Sequence, residues 1–172
     1  MTVERALVLG RAATVVLLAV VLQVGAAPVV SLLSVHPELP LLLAVAAGVS
    51  IGPDRGAVVG FALGLGYDLF LQTPFGMTAL VYAAVAYGCG SVQRHMAGQR
   101  RRSRMLLVGG GTAAGVVGWV LVGRLLDAAA PPVPTVVRVA LVAGAVNALL
   151  AGPATRLWDW VVSPAAPQRV PV

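Results

Sequence analysis

Lysine is missing from the 172 residues, cysteine occurs once, and charged side chains make up only 10% of the chain. Each shortage closes a class of function. The single cysteine, Cys89, allows neither an intramolecular disulfide nor a thiolate cage around a metal, and in its apolar setting it reads as a small packing residue. A charged content far below the roughly 25% of soluble domains excludes an ordinary water-soluble fold. Aromatic residues amount to 5% and the net charge is +6. That positive charge lacks the interleaved aromatic and basic residues of a nucleic-acid surface, so no nucleic acid is expected. There is no glycine-rich phosphate loop after a strand, no nucleophile elbow and no close pair of carboxylates. His36 and His95 are assigned to loops on opposite sides of a membrane and cannot share a metal. No catalytic residue, metal or cofactor is therefore expected.

What the chain has is hydrophobicity, at 59% of residues. With about 20 apolar residues needed to cross a bilayer, and proline, glycine and charges as punctuation, six helices are expected over about 12–34, 39–51, 56–71, 77–92, 105–126 and 135–160. No linker, repeat or soluble module divides them, so residues 1–172 read as one integral membrane domain of the all-α class. The first span resembles a signal peptide up to Ala26, but its apolar run continues beyond that point. The second and third spans are short: about 13 residues rise only about 20 Å, against a hydrocarbon core about 30 Å thick. Either protein and water shield the Gly52–Arg55 turn, or the bilayer thins there.

Arginines set the orientation, because short arginine-rich loops stay cytoplasmic. Residues 94–104 contain Arg94, Arg100, Arg101, Arg102 and Arg104. Six crossings then put both termini inside, together with Arg5, Arg11, Arg55, Arg156 and Arg169, which accounts for ten of the twelve arginines. The Arg100–Arg104 stretch is expected to meet anionic lipid. Trp158 and Trp160 fit an inner interfacial belt.

Asp68 is an acid in an otherwise aliphatic, glycine-rich run, where a lone carboxylate costs several kcal/mol unless paired or facing water. It lies near the outer end of the third helix, at about the depth of Arg124 and Arg138 on the fifth and sixth. Arg124 has a local alternative in Asp127, which leaves Arg138 as the preferred partner for Asp68. Gln23 and Asn147 lie near mid-membrane, where an interhelical amide bond would join them or both would line a polar cavity. Gly56, Gly60 and Gly64 recur every four residues and fall along one helix face. Gly48 with Gly52, and Gly110 with Ala114 and Gly118, repeat the spacing. Such rows let backbones approach, either inside the bundle or against a partner's helix. Pro74 and Gly76 mark an external turn.

The order Gly60, Gly64, Leu65, Asp68, Leu69, Pro74, a hydrophobic residue, Gly76, Leu80 and Tyr87 resembles the central segment of MreD, the small membrane subunit of the bacterial rod-shape machinery. The specific part covers roughly residues 52–94; elsewhere only length, number of spans and hydropathy agree. Phe75 stands where leucine is more usual, and the arginine loop carries more charge than most. The resemblance implies a non-enzymatic scaffold working with MreC, the polymerase RodA, a class B penicillin-binding transpeptidase and the actin-like MreB. It also implies a fold similar to the substrate-binding subunits of energy-coupling-factor transporters, with a pocket open to the outside. A small-molecule or lipid-binding transporter subunit is the competing reading, weakened by the scarcity of aromatic groups that such a pocket needs.

Overall fold

The computed structural model describes residues 3–26, 38–96, 101–126 and 131–163. They form six helices: α1 (Val3–Ala26), α2 (Leu39–Ile51), α3 (Pro53–Asp68), α4 (Met77–His95), α5 (Arg101–Leu125) and α6 (Val133–Val162). The all-α expectation holds, and α1, α5 and α6 are long and apolar enough to cross a membrane.

The short helix α2 is the axis of the bundle. It packs against each of the other five helices, and Leu41, Ala44, Val45, Ala46 and Ala47 are completely buried. A helix apolar on every side belongs inside protein, and α2 has no polar face to offer solvent. Its 13 residues rise about 20 Å. Enclosure by neighbours removes the need to match the lipid thickness, because the helix ends meet protein instead of hydrocarbon. The hairpins α3–α4 and α5–α6 flank it. By contrast α1 is peripheral, resting on α2, α3 and one end of α6, with Leu17, Leu18, Val21 and Leu22 exposed.

Several boundaries depart from the sequence expectation for local reasons. α3 begins at Pro53, not Gly56. Gly52 adopts a φ of 92°, which a side chain would oppose, and Pro53 takes the first helical position, where no amide is needed. One residue thus separates α2 from α3. α1 starts at Val3 and runs through Arg5 and Arg11, since a helix continues into the interface without penalty; residues 27–34 lie outside the described residues.

The alternating helices gather Arg5, Arg11, Arg55, Arg94, Arg104 and Arg156 at one pole, here the arginine end. The α1 C-terminus, the α2 N-terminus and the α3–α4 turn form the opposite, far end.

Glycines draw α2, α3 and α4 together. A Cβ on Gly56 would strike the Cα of Gly48 in α2; one on Gly60 would lie 2.7 Å from the Tyr82 carbonyl oxygen, and one on Gly64 2.6 Å from the Ala79 nitrogen. No methyl group tolerates such distances, so the three glycines form an internal seam and not a landing face for a partner helix. In α5 the expected row is corrected. Gly110 meets nothing within 4 Å, while Gly109 packs on Gly144 of α6 and Gly115 on Leu41 of α2. Ala114 is exposed and Gly118 makes only an ordinary contact with Val81. Three consecutive glycines, Gly109 to Gly111, offer overlapping rows, and spacing alone does not choose among them. Trp158 is also corrected: it is fully buried, its indole N–H donating to the Leu43 carbonyl of α2 at 2.9 Å. Trp160 is the exposed one.

Candidate functional site

The far end gathers several buried polar side chains, and two of them, Asp68 and Gln23, serve helix N-termini. A helix begins with four amides that have no internal acceptor, a serious cost away from water. α4 starts at Met77 behind Gly76, which is left-handed (φ 89°) and has no side chain to cap with. Asp68, the last residue of α3, supplies the missing acceptor. Its carboxylate receives the amides of Gly76 at 2.9 Å, Thr78 at 3.3 Å and Ala79 at 3.3 Å. The turn holding Pro74 brings them there, with Met77 N donating to Pro74 O at 3.1 Å and Leu80 N to Gly76 O at 2.9 Å. The positive end of the helix dipole favours an acid at this place. Asp68 is 3% exposed, so these bonds are the reason it is tolerated.

The preferred Asp68–Arg138 pair does not form. α3 and α6 are not packed against each other, and the carboxylate is occupied by α4. Arg138 and Arg124 are both exposed, on α6 and α5. Asp127, the local alternative for Arg124, lies outside the described residues.

α2 is served in the same manner. Gln23 of α1, 4% exposed, accepts the Leu39 amide at 2.9 Å through its side-chain oxygen. Glu38 occupies the N-cap position of α2 without capping through its side chain. Its carboxylate instead accepts the Tyr82 hydroxyl of α4 at 3.2 Å. Burial pushes the Glu38 carboxyl above the ordinary carboxylate range, and the Tyr82 bond draws it partway back. Tyr67 of α3 lies beside Gln23 and Glu38. Four helices therefore meet in one polar belt: Gln23, Glu38, Tyr67 with Asp68, and Tyr82.

Gln23 and Asn147 are not brought together. The Asn147 amide, fully buried in α6, donates to Thr112 Oγ1 of α5 at 3.1 Å, and the Thr112 hydroxyl donates in turn to Val108 O at 2.9 Å. This small network joins the second hairpin where Gly109 and Gly144 touch.

The arginine end is built otherwise. Arg94 pairs with Asp54 at 3.1 Å, linking α4 to α3, and Arg104 with Asp159 at 3.3 Å, linking α5 to α6. Arg11 donates to the Ser163 carbonyl at 3.2 Å and lies over the Trp160 ring, 4.9 Å from its centre. Of the Arg100–Arg104 stretch, Arg100 lies outside the described residues, and Arg101 and Arg102 are exposed.

Glu38, Tyr67, Tyr82 and Thr112 were not among the sequence candidates. Glu38 carried a usable signal, an acid immediately before a helix whose first turn contains Pro40. The assembled chemistry is that of acceptors aimed at helix amides: an acid held by three backbone donors positions a helix.

No curated protein and no solved structure matches the chain. The family model for the rod shape-determining protein MreD matches residues 5–126, from the start of α1 through the end of α5 and so across the far-end belt. The chain belongs to the MreD family, whose role is rod-shape determination and which is not a known family of enzymes.

Proposed function

We propose that this chain is a non-enzymatic membrane scaffold of the cell-elongation machinery, coordinating peptidoglycan synthesis through contacts with MreC, a RodA-type polymerase and a class B penicillin-binding transpeptidase. The match to the rod-shape family over residues 5–126 carries the reading. All six helices span the cytoplasmic membrane, α2 and α3 by virtue of the protein around them, with the arginine end and both termini in the cytoplasm. The far-end belt then faces outward, in a bundle similar to the substrate-binding subunits of energy-coupling-factor transporters. Asp68, Gln23 and Asn147 act as structural residues of that bundle, and Arg124 and Arg138 stand in its outer layer.

The internal glycine seam moves the partner face elsewhere. The stripe Leu17, Leu18, Val21 and Leu22 is exposed on the helix with the fewest neighbours, and repeats at helical spacing. It is the proposed seat for a partner's single transmembrane helix. The exposed Arg101 and Arg102 contact anionic lipid.

Affinity purification from native membranes tests this. Cell-wall synthases and MreC are expected with the wild type, and Leu18→Arg with Leu22→Arg lowers their recovery while the bundle stays folded. Recovery of transporter ATPases without any wall-synthesis protein would overturn the scaffold reading.

A further inference from the structure

The arginine end contains a cavity of about 700 Å³ between α1, the start of α3 and the end of α6. That lies within the roughly 300–1,000 Å³ of small-molecule sites. Its walls and mouth differ in chemistry. Val8, Ala12, Val59, Trp158 and Val161 line the interior, and the Trp158 N–H is already spent on Leu43, so its ring presents carbon only. Arg5, Arg11 and Arg55 stand at the mouth with Glu4 and Asp54. Asp54 is paired with Arg94, so among the described residues the mouth holds three guanidinium groups against one further carboxylate, Glu4. Arg11 is fixed at the rim by Ser163 and Trp160.

We propose that this cavity binds one acidic glycerophospholipid, its phosphate on Arg5, Arg11 and Arg55 and an acyl chain between α1 and α3. The division of charge and hydrocarbon matches such a molecule: guanidinium groups recognise phosphate through paired N–H donors, and the apolar interior has no partner for a polar ligand. A neutral lipid would leave the arginines unmatched. A soluble anion would leave the apolar interior unfilled. Basic pockets between transmembrane helices are established seats for acidic headgroups. The site is separate from the exposed Arg101 and Arg102, and it would tie the loosely held α1 to the bundle.

Native mass spectrometry of the whole protein from neutral detergent tests the site, with phosphatidylglycerol, phosphatidylcholine of the same chains, and glycerol phosphate titrated separately. One phosphatidylglycerol is expected to bind with an affinity about tenfold or more above phosphatidylcholine, given about 1 kcal/mol per arginine near an acidic headgroup. Glycerol phosphate alone is expected to be unretained. Arg5→Gln with Arg55→Gln removes the preference, and Ala12→Phe removes binding by filling the interior. Equal binding of the two lipids, retention of glycerol phosphate alone, or an unchanged preference in the Arg5→Gln, Arg55→Gln protein would overturn the proposal. The double glutamine change is confined to exposed side chains, so it remains informative if Ala12→Phe fails to fold.

Discussion

The two ends of the bundle solve the problem of polar groups near lipid in opposite ways. At the arginine end, charges meet charges on the surface: Arg94 and Asp54 are 61% and 76% exposed, where water and salt weaken the attraction. At the far end Asp68 and Gln23 are buried, and their partners are backbone amides at helix starts. The difference follows from how deeply the helix ends are buried. α5 and α6 are long enough for their ends to reach polar surroundings, while α2 and α4 begin beside buried side chains, where unsatisfied amides are expensive. Single changes of the buried acceptors at the far end are therefore costly, and changes of the surface ion pair at the arginine end are tolerated.

The comparison can be tested in order of expected effect. Asp68→Ala, which strips three amides of their acceptor, is expected to destabilise the protein by on the order of 3 kcal/mol, and Asp68→Asn by clearly less because one oxygen remains. A combined Asp68→Arg and Arg138→Asp exchange is expected to recover nothing, since α3 and α6 do not pack. Gln23→Leu exposes one orphaned amide, at Leu39, and should cost about 1–2 kcal/mol. Thermal unfolding in detergent measures all three.

Glu38 gives a smaller effect, with a direction in pH. Its carboxyl is raised by burial, so between the ordinary carboxylate range and the raised value the folded protein holds more proton than the unfolded chain. Stability is then fullest below the ordinary value and falls as pH rises through the raised one. Glu38→Gln should flatten that fall; an unchanged pH profile would remove Glu38 as its source. Smallest of all, Arg94→Gln should shift stability by less than about 0.5 kcal/mol. A loss as large as that of Asp68→Ala would break the contrast between the two ends.

These contrasts also explain what was legible in the sequence. The six helices follow from apolar runs punctuated by Pro37, Gly52, Pro53 and Pro131, Pro132 and Pro134. Asp68 was visible because a carboxylate among aliphatic residues has to be accounted for. Its partners were not visible, since the amides of Gly76, Thr78 and Ala79 belong to the backbone and have no letter of their own. Among the letters alone, Arg138 is the charge that matches Asp68 in depth, and α3 and α6 do not pack. Gln23 hid its partner in the same way, behind the Leu39 amide. Asn147 chose Thr112, a side chain small enough to pass as packing. The buried Trp158 was misplaced because interfacial and buried tryptophans look alike in sequence. Only the Leu43 carbonyl, another backbone group, separates them.

Asp68 holds the first turn of α4, and amide hydrogen exchange resolved to single residues reads that hold amide by amide. In Asp68→Ala, protection at Gly76, Thr78 and Ala79 should collapse first and most, with Asp68→Asn intermediate and Arg94→Gln unchanged there. Wild-type protection at those three amides in Asp68→Ala would mean that Asp68 does not hold this turn.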